Sequence, residues 1–271
     1  MVVNEVISKK AIVKSKLPSA DYVVNAYTGC PHKCIYCYAE FMKKFSSHDE
    51  EWGEFIDIKM FEKINVPKDI ENKYVFISSV TDPYNYFEVK YEKTKQVLEQ
   101  LIDKKCYIGI LTKSGHVLKD LELFKQFPNI EVGVSVNTMD DDFRKIIEPR
   151  ASSIEERLNI LKTLKENNIK NYLFMSPIFP YLSNYAEIIE ETRDYVDYYG
   201  FENLNLRAEY KRKVLNLIKF KYPDIFGDYL NIYQRNNRTY WRNLEKEIKK
   251  YCKDNNIECK IYFYHEDIKK K

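Results

Sequence analysis

Short apolar runs that alternate with amphipathic stretches are the feature that most limits how this chain of 271 residues can fold. Each run is rich in β-branched or aromatic residues, as strands buried on both faces of a sheet are. Between the runs, apolar residues recur at helical spacing, for example at Ile154, Leu158 and Leu161. Six strand–helix units predict a parallel sheet, and they are too few to close an eight-stranded barrel. We therefore predict an α/β fold, a partial (β/α)6 TIM-type barrel, with strands at Tyr22 to Tyr27, Tyr74 to Ser79, Cys106 to Thr112, Ile130 to Asn137, Asn171 to Ser176 and Asn203 to Arg207.

The pattern changes after residue 207, where the alternation ends and basic residues accumulate. We predict that residues 1–207 form the barrel core and that residues 208–271 form a basic, mainly helical extension packed on it, with a last strand at Cys259 to Tyr264. Thirteen basic and five acidic residues lie between Arg207 and Lys253, with aromatic residues among them. Basic charge with stacking aromatics is typical of surfaces that bind nucleic acid, single strands above all. The alternative, solvated helix faces whose aromatics pack inward, stays open.

Composition excludes several classes of protein. Apolar residues make up 44% of the chain and charged residues 31%, as in a folded globular protein and unlike a disordered one. The net charge of +3 is far from that of a histone-like binder. No apolar run approaches the ~20 residues that span a bilayer, and the first residues do not resemble a secretion signal. We expect a cytoplasmic protein without membrane contact, in which cysteines serve a metal or a redox function more readily than disulfides.

Three of the six cysteines, Cys30, Cys34 and Cys37, have the spacing C-x3-C-x2-C directly after the first predicted strand. Three thiolates on one loop can bind three irons of a cubane [4Fe–4S] cluster and leave the fourth iron open to another ligand. A structural zinc ion normally needs four protein ligands, and His32 lies in the loop as a possible fourth. We favour a cluster over zinc. The sequence does not place the other cysteines near this loop: Cys106, Cys252 and Cys259.

This motif, with Tyr36 directly before its last cysteine, resembles that of the radical S-adenosylmethionine (SAM) enzymes. The surrounding residues resemble the branch related to spore photoproduct lyase, whose members are often described as DNA repair photolyases. The resemblance runs from about residue 22 to 180. Within this branch, the chain most resembles the subgroup of radical SAM mobile pair proteins. It is carried by short segments at the ends of successive strands: Ser78 to Tyr84, Leu111 to Ser114, Gly133 to Thr138, Glu148 to Pro149 and Glu156 to Leu158.

The resemblance implies a [4Fe–4S] cluster held by Cys30, Cys34 and Cys37, with SAM as the second cofactor. In such enzymes the reduced cluster cleaves SAM to a 5′-deoxyadenosyl radical, which abstracts a hydrogen atom from the substrate. A one-electron donor such as flavodoxin or ferredoxin is implied as a partner. Membership of the mobile pair subgroup would add a second radical SAM protein.

The residues that contact SAM are implied by position in the family. Lys113 matches the residue that supplies a cation to the carboxylate of SAM, and Tyr36 is expected near the adenine. Side chains or carbonyls between Ser79 and Asp82 can accept hydrogen bonds from the ammonium of SAM. Without the resemblance, Lys113 would be an exposed lysine at a strand end, and the hydroxyls would cap strand ends. The predicted cofactor-binding residues are Tyr36, Ser79, Thr81, Lys113 and Ser135.

Ser79 departs from the family pattern. Spore photoproduct lyases carry a cysteine at this position, which returns a hydrogen atom to the product radical, and a serine O–H bond is far too strong for that step. We therefore predict that this chain does not repair spore photoproduct, and the sequence assigns no catalytic residue. The leading interpretation is a radical SAM enzyme acting on a nucleic acid or another macromolecule. The alternatives are a peptide or small-metabolite substrate, or a non-catalytic iron–sulfur protein that binds DNA and senses redox state. Glu148 and Arg157 could hold each other or the nucleoside of SAM, and we favour a surface ion pair.

Overall fold

The computed structural model describes residues 1–264, in which eleven strands and nine α-helices form. The strands are β1 (Val2–Ser8), β2 (Ile12–Lys14), β3 (Tyr22–Val24), β4 (Tyr27–Thr28), β5 (Phe55–Phe61), β6 (Tyr74–Ile77), β7 (Tyr107–Thr112), β8 (Ile130–Ser135), β9 (Lys170–Ile178), β10 (Tyr198–Asn203) and β11 (Cys259–Ile261). The α-helices are α1 (Glu88–Tyr91), α2 (Lys93–Glu99), α3 (Leu121–Phe124), α4 (Asp141–Ile147), α5 (Ile154–Glu166), α6 (Tyr185–Thr192), α7 (Ala208–Lys221), α8 (Phe226–Tyr233) and α9 (Thr239–Asp254). Shorter 3-10 helices lie at Tyr38–Phe45, Gly115–Asp120 and Pro223–Ile225.

Eight of these strands form the main sheet, in the order β2-β3-β6-β7-β8-β9-β10-β11. Neighbouring strands from β3 to β11 are parallel, whereas β2 runs antiparallel to β3. Within residues 1–264 no pairing closes the sheet, so the barrel is partial, as predicted. Five of the six predicted barrel strands correspond to β3 and β6 to β9, and the sixth is displaced from β10. Because these strands are parallel, their carboxyl ends meet at one mouth, where ligands of such folds bind.

Two of the six predicted barrel strands differ from the structure in extent or position. The run from Tyr22 to Tyr27 is divided, because β3 ends at Val24 and β4 pairs with β5 in a separate three-stranded sheet, β1-β5-β4. The strand placed at Asn203 to Arg207 is wrong, since the strand is β10, five residues earlier. Gly200 interrupts the apolar pattern of β10, because the Phe174 ring fills the space that a side chain would need there. The sequence does not predict β1, β2 or β5, and the last strand, β11, is shorter than expected.

Tyrosine rings fill the barrel near the amino ends of its strands. Glycine is required at Gly133 on β8, because a Cβ atom there would lie 2.1 Å from the ring of Tyr172. The carboxylate of Glu131 accepts hydrogen bonds from the hydroxyls of Tyr74 at 2.9 Å and Tyr198 at 3.1 Å. This packing closes the amino end of the barrel, so a ligand site is expected at the opposite, carboxyl end.

The C-terminal helices share one buried core with the barrel strands. α7, α8 and α9 contribute Tyr210, Ile218, Tyr229, Trp241 and Ile248 to that core, and β11 continues the main sheet beside β10. The division at residue 207 stays a prediction, and residues 265–271 of the predicted extension lie outside the described residues. Over the described part of the chain, every helix is too short or too polar to cross a bilayer.

His48 links the loop before β5 to the three-stranded sheet. Its ring nitrogens lie 2.8 Å from Asp57 on β5 and 3.0 Å from Glu50. Burial lowers the pKa of His48, but the hydrogen bonds to Asp57 and Glu50 outweigh burial, so the pKa is raised above 6.5. Because the pKa of His48 is higher in the folded state than in the unfolded state, its protonated form stabilises the fold. This stabilisation is fully present at pH values below the unfolded-state pKa of about 6.5 and is lost as the pH rises through the folded-state pKa. We expect His48→Gln to lower the free energy of unfolding by about 1–2 kcal/mol at pH 5.5 and by less at pH 8. Urea denaturation at both pH values measures this difference, and equal losses would contradict it.

Candidate active site

The three cysteines lie on one loop between β4 and the 3-10 helix Tyr38–Phe45. Each thiol is free within the described residues and at least partly buried. Burial raises the pKa of Cys30 to about 12, with further contributions from Asp82 and Cys37. Burial also raises the pKa of Cys34 and of Cys37. Ionisation of Cys37 would raise the pKa of Cys30 and of Cys34 further, so the thiols are near one another. With raised pKa values all three are protonated at neutral pH, and metal binding would have to displace their protons.

Contacts from several sides hold the backbone of this cysteine loop. Gly29 has φ +88°, and a Cβ atom there would lie 2.4 Å from the carbonyl oxygen of Phe55, so glycine is required. The carboxylate of Glu54 binds Lys33 Nζ at 2.5 Å and Arg150 Nη2 at 2.7 Å. These hydrogen bonds lower the pKa of Glu54 to about 2, so the carboxylate is ionised at neutral pH. The loop is therefore held in its conformation by the protein itself.

The donor set has the chemistry that a cluster needs: three thiols on one loop, each of which can bind one iron. Among residues 1–264, no three His, Cys, Asp or Glu side chains gather closely enough to bind one metal ion. A cubane cluster takes one thiolate at each of three irons, so its ligands stand further apart than those of zinc. His32, the possible fourth zinc ligand, is buried with Nδ1 3.5 Å from Asp82 Oδ2, and burial lowers its pKa. Trp52 donates its Nε1–H to Cys37 Sγ at 3.3 Å, which favours the thiolate.

Lys113 brings a positive charge to the cysteine loop. It directly follows β7, and its Nζ lies 6.0 Å from the centroid of the Tyr36 ring. Burial lowers the pKa of Lys113, but Glu148 and Cys34 outweigh burial, so the pKa is raised and the ammonium stays charged. No carboxylate of the described residues forms an ion pair with this ammonium. The charge is thus available to an anion bound beside the cysteines.

Asp82 positions Lys113, and both of its carboxylate oxygens already accept hydrogen bonds within the protein. Its carboxylate accepts hydrogen bonds from Thr112 Oγ1 at 2.7 Å, from the backbone N–H of Lys113 at 2.7 Å and from that of Tyr84 at 2.9 Å. His32 lies on its remaining side. The expectation that side chains or carbonyls between Ser79 and Asp82 accept hydrogen bonds from the ammonium of SAM stays a prediction.

The predicted hydroxyl residues lie at the carboxyl ends of two barrel strands, β6 and β8. Thr81 donates its hydroxyl to the carbonyl of Gly29 at 2.7 Å, which joins the loop after β6 to the cysteine loop. The backbone N–H of Ser79 donates to Asn25 Oδ1 at 2.9 Å. Ser135 is buried at the end of β8. Asn25, which follows β3, is a site residue that sequence reasoning misses, because a lone asparagine after a strand carries no specific signal.

Glu148 and Arg157 form a buried ion pair. Arg157 Nη2 lies 2.5 Å from Glu148 Oε2, and the two side chains are 1% and 0% exposed. Tyr36 donates its hydroxyl to the same carboxylate, and Asn137 Nδ2 donates to it at 3.2 Å. Burial raises the pKa of Glu148, but Arg157 and Lys113 outweigh burial, so the pKa is lowered and the carboxylate is ionised. The prediction of a surface pair is wrong: the pair is internal, and it fixes the Tyr36 ring beside the cysteine loop.

Comparison of this chain with known proteins shows the family to which it belongs. The family model of the radical SAM superfamily matches residues 24–196, which include the three cysteines and Lys113. The chain belongs to the radical SAM superfamily. An uncharacterised protein of Methanocaldococcus jannaschii is 42% identical to it over 223 residues, covering 81% of this chain and 83% of that protein. An uncharacterised protein of Acidianus two-tailed virus is 30% identical over 174 residues, covering 60% of this chain and 57% of the viral protein.

Two solved structures share the fold of this radical SAM protein. One is a spore photoproduct lyase mutant with dinucleoside spore photoproduct, with TM-score 0.58, 20% identity and coverage of 78% of this chain and 63% of the lyase. The other is Streptococcus suis SuiB bound to SAM, with TM-score 0.56, 16% identity and coverage of 89% of this chain and 49% of SuiB. The chain thus spans less than two thirds of either protein. At these identities the similarity concerns the fold alone, and the mobile pair subgroup stays a prediction.

Further residues around the mouth carry no signal in the sequence. Phe179 packs edge-on against the Tyr36 ring, with centroids 5.5 Å apart. Ser176 on β9 donates its hydroxyl to Glu202 on β10. Tyr38 donates its hydroxyl to a backbone carbonyl in the loop after β6. Contacts of this radical SAM protein therefore join β6, β9 and the cysteine loop around one mouth.

Aromatic residues of the basic extension mostly pack inward. Tyr210 and Trp241 are buried in the core, whereas Phe220 is 77% exposed. The alternative of solvated helix faces with inward aromatics thus describes most of the extension. Three exposed tyrosines lie in segments that follow barrel strands or the cysteines: Tyr38, Tyr86 and Tyr181.

Proposed function

We propose that this radical SAM protein binds a [4Fe–4S] cluster through Cys30, Cys34 and Cys37, binds SAM beside it, and abstracts hydrogen from a nucleic acid. When bound, the reduced cluster and SAM supply a 5′-deoxyadenosyl radical that takes a hydrogen atom from the substrate. One observation carries the proposal: the charged Lys113, without an ion-pair partner among the described residues, lies beside three thiols on one constrained loop.

Each residue of the site has a function that its chemistry supports. The ammonium of Lys113 would bind the carboxylate of SAM through a charge-assisted contact. The Tyr36 ring is held by Glu148 at its hydroxyl and by Phe179 at its edge, so it offers a fixed apolar surface to the adenine. Ser79 and Ser135 would bind polar groups of SAM at the ends of β6 and β8. Burial around the cysteines keeps water from a reactive radical.

A nucleic acid is the substrate class that the surface supports best. Tyr38 and Tyr86, near the mouth, are 59% and 70% exposed, and bases of any sequence can stack on tyrosine. The excess of basic residues in the extension attracts phosphates. A lyase of similar fold was solved with a dinucleoside spore photoproduct. Ser79 argues against that lesion as the substrate here, since its O–H bond is too strong to return a hydrogen atom.

Anaerobic reconstitution with iron and sulfide, followed by dithionite and SAM, tests the proposal. In the cell, flavodoxin or ferredoxin would replace dithionite. We expect 5′-deoxyadenosine, and with a fully deuterated single-stranded nucleic acid we expect deuterium in it, measured by mass spectrometry. Product without deuterium would favour a peptide or small-metabolite substrate. A cluster whose EPR spectrum is unchanged by SAM would favour the non-catalytic redox sensor.

Lys113→Ala is expected to weaken SAM binding by one to two orders of magnitude, because a lost charge-assisted contact costs about 1.5–3 kcal/mol. Iron content should not change, since the lysine is not a proposed cluster ligand. Equilibrium dialysis of labelled SAM with the reconstituted protein measures the affinity. Lys104→Ala is the matched control, because Lys104 is exposed before β7, at the amino end of the barrel. Wild-type affinity in Lys113→Ala would remove this lysine from the SAM site.

A further inference from the structure

A cavity of about 370 Å³ lies beside the turn that follows β9 and is separate from the cysteine loop. Its walls come from that turn and from α8 and α9, and they include Tyr181, Asp228, Asn231, Tyr240, Asn243 and Glu247. The volume is within the usual range for sites that bind small molecules, about 300–1,000 Å³. None of the residues in the proposed SAM and cluster site lines it.

Two tyrosines form the aromatic wall of this cavity. The ring centroids of Tyr181 and Tyr240 are 4.9 Å apart and the rings are tilted by 50°. The Tyr240 hydroxyl accepts a hydrogen bond from the backbone N–H of Tyr181 at 3.3 Å. Tyr181 has φ +63°, which a bulky residue rarely adopts, and its side chain is nevertheless 52% exposed. Such strained residues recur at ligand-binding positions, and here the ring is left available for stacking.

The polar wall suits the edge of a nucleobase. The side chains of Asn231 and Asn243 make no hydrogen bond to another described residue, so each offers both a donor and an acceptor. The carboxylates of Asp228 and Glu247 can accept from the amino group of a base. No lysine or arginine of the described chain lines the cavity, so its interior disfavours a phosphate.

Positively charged residues lie next to the cavity, in contrast to the two carboxylates of its wall. Arg242 and Lys246 are exposed on α9, each three residues after a residue of the cavity wall, Thr239 and Asn243. Residues three apart on a helix are neighbours, so each of the two cations lies next to a residue of the cavity wall. A nucleobase in the cavity could form hydrogen bonds with its wall, while the neighbouring phosphates of the strand contact these two cations.

The turn that forms one wall of the cavity also contacts the active site. Phe179 packs against Tyr36 of the cysteine loop, and Tyr181, two residues later, lines the cavity. Tyr229 of α8 fixes the turn between them by donating its hydroxyl to the Pro180 carbonyl at 3.1 Å. A base bound at Tyr181 would therefore lie on the strand close to the nucleotide at the barrel mouth.

We infer that this cavity binds one nucleobase of a single-stranded nucleic acid and so positions a neighbouring nucleotide for hydrogen abstraction. The inference rests on the proposed nucleic acid substrate and adds a recognition site outside the cofactor site. Its recognition elements are stacking on Tyr181 and Tyr240, hydrogen bonds from two asparagines, and phosphate contacts at Arg242 and Lys246.

Fluorescence anisotropy with two labelled strands of about twelve nucleotides tests the inference. One is single-stranded DNA with bases, and the other is an abasic strand with the same phosphates. Tyr181→Ala should weaken binding of the base-bearing strand five- to a hundredfold, the range for loss of one stacked base, and should not affect the abasic strand. Tyr181→Phe retains the ring and should bind like the wild type. Lys246→Gln should weaken both strands alike, whereas Lys104→Gln should weaken neither.

The outcomes separate this inference from the proposed function. If both strands bind and Tyr181→Ala binds them as the wild type does, the cavity is not a base site and the inference is overturned, while a nucleic acid substrate stands. If the wild type binds neither strand, the inference and the nucleic acid substrate fail together. Formation of 5′-deoxyadenosine by the wild type then still tests the radical chemistry on its own.

Discussion

Replacing any one of Cys30, Cys34 and Cys37 with alanine is expected to abolish cluster binding and, with it, all cleavage of SAM. Two thiolates cannot hold a cubane cluster that needs three. Iron content should fall from about four atoms per chain to near zero, with loss of the brown absorbance. Iron assay, the visible spectrum and 5′-deoxyadenosine formation measure the three effects after anaerobic reconstitution.

Cys106→Ala is the matched control for these variants. Cys106 is a free, buried thiol directly before β7, at the amino end of the barrel, so its loss should leave the iron content unchanged. Circular dichroism of the apoproteins shows whether each variant is folded. A normal cluster in Cys34→Ala would refute the ligand assignment, and so would oxygen-free wild-type protein that carries zinc in place of iron.

Strands of the barrel could be predicted where their burial is symmetrical. Tyr107–Thr112 and Ile130–Ser135 are continuous apolar runs because helices cover one face and the barrel interior the other. β5 is not such a run, because Asp57 and Lys59 alternate with its apolar residues, as in a strand with one buried face. A pattern of continuous apolar residues therefore does not predict it. β10 is interrupted by Gly200, and the glycine is required because the Phe174 ring of β9 fills the space beside it. That contact between two strands cannot be read from the local sequence.

The candidate site can be proposed from the sequence where its chemistry is local in the chain. The three cysteines lie within eight residues, so their spacing alone indicates a shared metal group. Lys113 is singled out only by the family resemblance, because a lysine at a strand end is common and carries no signal by itself. Tyr36 and Glu148 are hydrogen-bonded although they are 112 residues apart, and such contacts follow from the path of the chain. For the same reason a pair expected at the surface, Glu148 and Arg157, proved to be internal.

Arg157→Met is expected to destabilise the fold by about 3–5 kcal/mol, because removal of one partner leaves the Glu148 carboxylate buried without its counter-ion. That is a large part of the 5–15 kcal/mol by which a typical domain is stable. Urea denaturation of the apoprotein at pH 7 measures the loss. The lowered pKa of Glu148 adds a pH dependence in the wild type. Its contribution is fully present above the unfolded value of about 4.3 and is lost as pH falls through the folded value.

The double variant Glu148→Gln with Arg157→Met decides whether the buried charge is the cause. It removes both charges, so it should be more stable than Arg157→Met alone, even though it has lost one more native side chain. Arg212→Met is the exposed control: Arg212 pairs with Glu209 at 2.9 Å, but the two side chains are 74% and 66% exposed. Screening by solvent should leave that substitution with little effect. If Arg157→Met is no less stable than Arg212→Met, or if the double variant is the least stable of all, the ion pair does not hold Tyr36 and the cysteine loop by its charge, and packing alone must account for the arrangement.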